Sequence, residues 1–163
     1  MSLYFLRHGD TYSENIPENM SVSEASRMIP LSEFGKIQVQ SVELPEDFDI
    51  IVISDSLRTK QTAEILKKAK HMNIPVVVES DLHPWESGAE DWKEYWKRYY
   101  NFVTAYSPNA GYETKESMRE RVEKVVSKYS NFNTLVIAHS VLLSNYINRD
   151  YLKYCELVKV RTN

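Results

Sequence analysis

The sequence predicts an α/β fold: a three-layer sandwich with a mostly parallel central sheet and helices on both faces. Three observations carry that prediction. Short apolar runs recur at Leu3 to Leu6, Ile50 to Ile53, Val76 to Val78 and Thr134 to Ala138. The segments between them have helical spacing. The runs are nearly continuous in apolar residues rather than alternating with polar ones, as expected of parallel strands covered on both sides. Leu157, Val158 and Val160 add a late edge strand.

Taken in order, the first run stops abruptly at Arg7, His8 and Gly9, and His8 to about Ser23 is the longest irregular segment. Loops of that length in compact domains are often functional. Ser32 caps a helix running to about Val42. A second helix follows Asp55, with Thr62, Ile65, Leu66 and Ala69 on one face, and Pro75 marks the return to a strand. His71 follows Lys70 near that helix's C-terminus, where positive charge is favourable, and reads as structural. From Ala89 to Tyr106 the residues Trp92, Tyr95, Trp96, Tyr99 and Val103 recur at three and four residue steps, as do Met118, Val122, Val125, Val126 and Tyr129 in the next helix. Both stripes read as core. The alternative for the first is that Trp92, Trp96 and Tyr99 line the mouth of a site, with Lys93, Lys97 and Arg98 drawing in anions. "TLVIAHS" then repeats the opening pattern, an apolar run ending in His139, and Val141 to Ile147 forms the following helix.

At 163 residues the chain reads as one domain over 1–163. Its 20 basic and 23 acidic side chains nearly balance, so the overall charge points to neither nucleic acid nor a polyanionic membrane as partner. Cys155 is the only cysteine. It excludes an intrachain disulfide and a multi-cysteine zinc site, and it suits a reducing compartment. No secretory leader pattern and no membrane-spanning run is present, so a soluble, cytoplasmic protein without a cofactor or metal is expected.

Two strands that end in histidine set the functional question. Ligands of open parallel sheets bind outside the carboxyl ends of the strands, so neighbouring strands would bring His8 and His139 to one crevice. Arg7 is a permanent planar cation suited to phosphate or carboxylate. Gly9 lets the backbone approach a ligand closely or adopt positive φ. Helices that begin at strand ends offer free N–H groups to an anion. In "ISDSLRTKQTAEIL" Arg58 falls on the first helical turn, with Gln61 and Thr62 on the next, which lets Arg58 point at the strand ends. The crevice expected from these residues is positive and anion-binding.

These residues resemble the histidine phosphatase superfamily, the phosphoglycerate mutase-like family, in its larger branch. "FLRHGDT" is similar to its Arg-His-Gly-x-Thr signature, "PLSEFGKIQ" to Leu-Thr-x-x-Gly-x-x-Gln and "SDSLRTKQTAEIL" to Ser-x-x-x-Arg-x-x-Gln-Thr-Ala. "GYETKESMRER" resembles a Gly-Glu-Ser stretch with a following Arg, here Glu113 and Arg121, and "VIAHS" supplies the second histidine. The five motifs occur in order over nearly the whole chain. The resemblance implies a phosphoglycerate mutase-like fold and a metal-independent phosphomonoester hydrolase in which His8 attacks phosphorus. Arg7, Arg58 and His139 would hold the phosphoryl oxygens. Neutral imidazole is a competent nucleophile near neutral pH, and charge stabilisation is the main task in this chemistry.

Two positions depart from the pattern. The family's usual general acid is a Glu where this chain has Pro84, which cannot donate. Glu86 is the nearest replacement, next to Trp85, whose apolar ring would favour the protonated acid; Asp10, Asp81 and His83 are further candidates. Glu14 stands where the family commonly has a phosphate-contacting Asn, and Asn15 is the expected substitute. Ser140, directly after His139 where the other branch has Asp, is taken with Asn15 as phosphate-binding.

Other readings compete. Cys155 and Arg161 have the Cys-x5-Arg spacing of cysteine-dependent phosphatases, but the branched, strand-like residues between them cannot form a phosphate loop. A mutase-type phosphotransferase would return the phosphoryl group to another hydroxyl; the compact length favours hydrolysis. A non-catalytic phosphate-binding module is the third reading. The expected partner is a phosphorylated small molecule or phosphoprotein, and the sequence leaves oligomeric state open.

Overall fold

The computed structural model describes residues 1–11 and 20–161. Strands β1 (Leu3–Arg7), β2 (Ile50–Ile53), β3 (Val76–Val78), β4 (Thr134–Ala138) and β5 (Leu157–Arg161) form one sheet in the order β3-β2-β4-β1-β5. The pairs β1–β4, β2–β4 and β2–β3 are parallel, and β5 runs antiparallel beside β1. The four parallel strands therefore end on one rim, which is where His8 and Ser54 emerge and where His139 begins a helix.

The continuous apolar strands are explained by their two faces. Successive side chains point to opposite sides, so Leu3, Phe5, Ile50, Val52, Val136 and Ala138 join one buried cluster while Tyr4, Leu6, Ile51, Ile53, Leu135 and Ile137 join another. On the first face lie α4 (Trp92–Thr104), α5 (Lys115–Lys128) and α6 (Ser140–Tyr146), contributing Phe102, Met118, Val122 and Leu142. On the second lie α2 (Glu33–Gln40) and α3 (Leu57–Ala69), contributing Val39, Ala63 and Leu66. This is the expected three-layer sandwich. Among the described residues, no helix is long and apolar enough to cross a membrane.

Several elements differ from expectation in detail. Ser32 caps α2 as expected, its Oγ accepting from Gly35 N at 2.9 Å, but the helix stops at Gln40. The end of the irregular first segment is helical: α1 (Val22–Met28), capped by Ser21, packs against α3. His71 follows the end of α3 at φ 53°, an exposed left-handed position consistent with its structural reading. In α4 the stripe is shifted from the expected one. Tyr95, Tyr99 and Phe102 face the core, as does Tyr106 just beyond the helix, whereas Trp96 and Val103 are 59% and 62% exposed. The positions Tyr95, Tyr99 and Phe102 keep one line on the helix, while Trp96 and Val103 sit one residue beyond it.

Gly9 and Gly35 matter through close approach. Gly9 does not lie in the left-handed region; instead a Cβ there would meet Gly35 O at 2.8 Å, and one at Gly35 would meet Asp10 O at 2.1 Å. The start of α2 is thus pressed onto the backbone just after His8. Asp10 N donates to Gln38 Oε1 at 3.0 Å and its carboxylate accepts from Ser32 Oγ at 2.6 Å, closing the same contact.

Candidate active site

His8 follows β1, and its N–H donates to Ala138 O at 3.3 Å, so adjacent parallel strands deliver His8 and His139 side by side. Their ring centroids are 5.4 Å apart, and both residues are buried. Arg58 enters from the first turn of α3 and lies between them. Its Nε donates to His8 Nε2 at 3.2 Å and its Nη2 to His139 Nδ1 at 3.2 Å, while Nη1 donates to the Ser26 carbonyl of α1. One guanidinium therefore touches both imidazoles.

The partners determine each ring's tautomer. His8 Nδ1 is 2.7 Å from Gly9 O, and a carbonyl can only accept, so the proton is on Nδ1 and Nε2 carries the lone pair. In His139 the lone pair is on Nδ1, facing Arg58, and Nε2–H donates to Ser54 Oγ at 2.9 Å. Ser54 Oγ in turn sits within 2.9 Å of Ser56 Oγ and 3.0 Å of Thr59 Oγ1. This hydroxyl cluster fixes the orientation of His139. No role for it was read from the sequence, although Ser54 opens the Ser-x-x-x-Arg motif.

Arg7 approaches from the other side. Its Nη1 donates to Tyr151 Oη and to Leu152 O, each at 2.8 Å, and its guanidinium carbon lies 3.8 Å from the Tyr154 ring centroid. Its buried Nε has no hydrogen-bond partner among the described residues. The segment before β5 thus holds Arg7 by stacking and by its backbone, and Cys155 N donates to the Arg7 and His8 carbonyls at 3.1 and 3.2 Å. Tyr151 and Tyr154 carry no motif signature; only the antiparallel return of β5 brings them here.

Burial is the main cause that holds both His8 and His139 well below the ordinary imidazole value, and the Arg58 charge is the next. Burial also lowers Arg58 to about 10, which leaves it charged at neutral pH. A linked stability change follows. An unfolded histidine takes up a proton near pH 6.5, whereas these folded rings resist it. Their contribution is complete above that pH and is lost as the pH falls below it. Urea unfolding measured from about pH 7.5 to 5.5 should show stability falling below pH 6.5 by about 1.4 kcal/mol per unit for each ring. His139→Asn should remove one ring's share; a flat profile in the wild type would contradict the assignment.

The remaining sequence candidates are placed as follows. Glu86 is not covered by Trp85, because that indole is buried among Tyr95, Tyr99, Phe102 and Tyr112, leaving the Glu86 side chain 70% exposed with Oε1 3.7 Å from His83 Nε2. The Ser140 hydroxyl donates to Leu152 O and accepts from Leu152 N, both at 3.1 Å. Its only proton is committed to the backbone, while a phosphate oxygen needs a donor. Asn15 and Glu14 lie outside the described residues. The Asp10 carboxylate is bound to Ser32, and Asp81 faces Lys124 at 3.4 Å. Cys155 has φ 57° and leads into a strand, and burial raises its thiol to about 11, the opposite of an activated nucleophile. Among the described residues no group of three or more His, Cys, Asp or Glu could hold a metal ion.

Glu113 and Arg121 form a part-buried pair at 2.7 Å that pins the loop before α4. Arg121 Nη1 donates to the Asp81 carbonyl and, at 3.0 Å, to His83 O, while Glu113 Oε1 accepts from Glu86 N at 3.2 Å. Trp85 Nε1 donates to Glu113 O at 2.9 Å. The motif that held no role in the sequence therefore organises the segment from Asp81 to Glu86.

Known proteins share this fold. The chain is 29% identical over 145 residues to the uncharacterized phosphatase PhoE of Bacillus subtilis (strain 168), covering 85% of this chain and 71% of that one. Its fold matches the alpha-ribazole phosphatase of Shigella flexneri with a TM-score of 0.67 at 20% identity, over 100% of this chain and 91% of that one. It also matches a phosphoglycerate mutase from Bacillus anthracis str. Sterne with a TM-score of 0.66 at 17% identity, over 91% and 78%. The sequence model of the histidine phosphatase superfamily (branch 1) matches residues 3–150, which span both histidines and Arg58, and the chain belongs to that family.

Proposed function

We propose that the protein hydrolyses phosphomonoesters, of a small molecule or of a protein, through a phosphohistidine formed on His8 Nε2, within a single domain and without a metal. The observation that carries this reading is the fixed tautomer of His8. Gly9 O holds the proton on Nδ1, so the lone pair of Nε2 points at the guanidinium that would bind the phosphoryl group.

In this reading the substrate's phosphoryl oxygens take over the N–H groups that Arg58 now directs at the two rings, with Arg7 on the opposite side. Nε2 attacks phosphorus as the ester oxygen leaves. The negative charge spread over the phosphoryl oxygens is met by two cations in a buried, low-dielectric place, where such contacts are strongest. Water then breaks the P–N bond. The depressed basicity of His8 keeps it unprotonated, and so nucleophilic, at neutral pH. The arginines do the charge work that a metal would do elsewhere. The family match and the phosphatase relative support hydrolysis over phosphotransfer, and the single cysteine suits a reducing, cytoplasmic setting.

The test is trapping. Enzyme mixed with radiolabelled phosphomonoester and quenched in alkaline detergent should retain label that is stable in base and lost on later acid treatment, as a phosphoramidate is. Turnover should persist in excess chelator. Turnover without a trappable phosphoenzyme, even in rapid quench, would refute the covalent route.

A further inference from the structure

We infer that His83 is the acid that protonates the leaving oxygen, with Glu86 as the positioning carboxylate behind it; this rests on the phosphohistidine reading above. The family's usual Glu is replaced here by Pro84, yet the loop is held in place from both ends. Arg121 binds the carbonyls of Asp81 and His83, and Glu113 binds the backbone of Glu86 in both directions, accepting from its N–H and donating to its carbonyl at 2.8 Å. Such bracing by a part-buried ion pair suits a loop whose side chain must be accurately placed.

Within that loop the geometry selects His83. Its Nδ1 is 2.8 Å from the Pro84 carbonyl, which can only accept, so Nδ1 carries a proton and Nε2 is the atom left free to exchange one with the substrate. Glu86 Oε1 lies 3.7 Å from Nε2, too long for a hydrogen bond but close enough to act as counter-charge to an imidazolium. His83 is half-buried, whereas Glu86 projects into solvent. His83 follows β3 on the rim where the parallel strands end, the same rim that carries His8 and His139, and its charge is among the causes that lower His139. The charged groups around His83 are Glu86 on its own loop, Asp81 with its partner Lys124, Arg121 on α5 and His139 at the start of α6. The other carboxyl candidates are engaged elsewhere: Asp10 with Ser32 and Asp81 with Lys124.

The proton balance closes over two steps. As the His8 Nε2–P bond forms and the P–O ester bond breaks, His83 Nε2–H passes its proton to the leaving oxygen. Neutral His83 then takes a proton from the water that attacks phosphohistidine, the P–N bond breaks, and inorganic phosphate leaves. His83 ends protonated, as it began.

The experiment is a leaving-group series, from p-nitrophenyl phosphate through phenyl phosphate to an alkyl phosphate, measured for wild type, His83→Asn, His83→Gln and Glu86→Gln. Both His83 variants should lose activity progressively with leaving-group basicity, by roughly 100-fold or more on the alkyl phosphate and far less on p-nitrophenyl phosphate. The basic limb of the kcat/KM profile on the alkyl substrate should vanish in them. In Glu86→Gln that limb should remain, and the loss across the series should be smaller than in the His83 variants. Equal losses on all substrates, or a steep leaving-group dependence only in Glu86→Gln, would overturn the assignment. Phosphoenzyme trapping from p-nitrophenyl phosphate in the His83 variants separates the two readings: its presence with an unchanged leaving-group dependence sinks His83 alone, and its absence in the wild type sinks the nucleophile.

Discussion

Alanine at position 8 should reduce turnover of every phosphomonoester by roughly four orders of magnitude or more, including p-nitrophenyl phosphate, and should abolish the trapped phosphoenzyme. The size of the effect follows from the geometry. His139 is not expected to substitute: its Nε2–H is tied into the hydroxyl cluster of Ser54, Ser56 and Thr59, which suits a ring that holds a phosphoryl oxygen. Nor does Cys155 offer a second nucleophile, since its thiol is raised to about 11. Because the ring is buried and bonded to Gly9 O and Arg58, the variant's fold must be checked by circular dichroism and thermal melting. A folded His8→Ala protein that still turned over p-nitrophenyl phosphate near the wild-type rate would remove the mechanism altogether.

Arg58→Ala should be nearly as damaging, with kcat/KM lower by about a thousand-fold to a hundred-thousand-fold, the range seen when a charge-stabilising arginine is lost in phosphoryl transfer. Arg58 contacts His8, His139 and the Ser26 carbonyl with three different nitrogens. A lysine carries the charge but presents it as a point and cannot span those three directions, so Arg58→Lys should recover little of the loss. A second readout distinguishes a charge role from a packing role. Arg58 is the largest cause after burial of the depressed basicity of both histidines. Its removal should therefore move the acidic limb of the kcat/KM profile to higher pH, since His8 would then take up its proton earlier. If Arg58→Lys restored full activity, or if the acidic limb stayed in place in Arg58→Ala, the electrostatic role given to this residue would be wrong.

How much of this was legible from the chain depends on how local the information is. Strands β1, β2, β3 and β4 were readable because each is a short run of apolar residues, and two-sided burial leaves that mark in the sequence. His8 and His139 were readable because each ends such a run, and Arg58 because helix spacing after β2 turns it toward the rim. The line of α4 is not a local property: an almost uninterrupted aromatic segment offers several apolar faces, and only packing against Trp85 and Tyr112 selects the one with Tyr95, Tyr99 and Phe102.

The sequence by itself determined the layered α/β class, the four cationic and imidazole groups and the missing acid at Pro84. Tertiary structure alone decided which nitrogen of each histidine carries the proton, because that depends on Gly9 O from the end of β1 meeting the rings together with Ser54 and Arg58 from beyond the end of β2. It also decided that Tyr151 and Tyr154 hold Arg7, that the Ser140 hydroxyl belongs to the backbone, and that Glu86 faces His83 instead of Trp85. The physical reason is the same in each case. Strand and helix patterns record which residues are buried, whereas hydrogen-bond direction depends on atoms far apart in the chain and becomes defined only when the sheet brings them together.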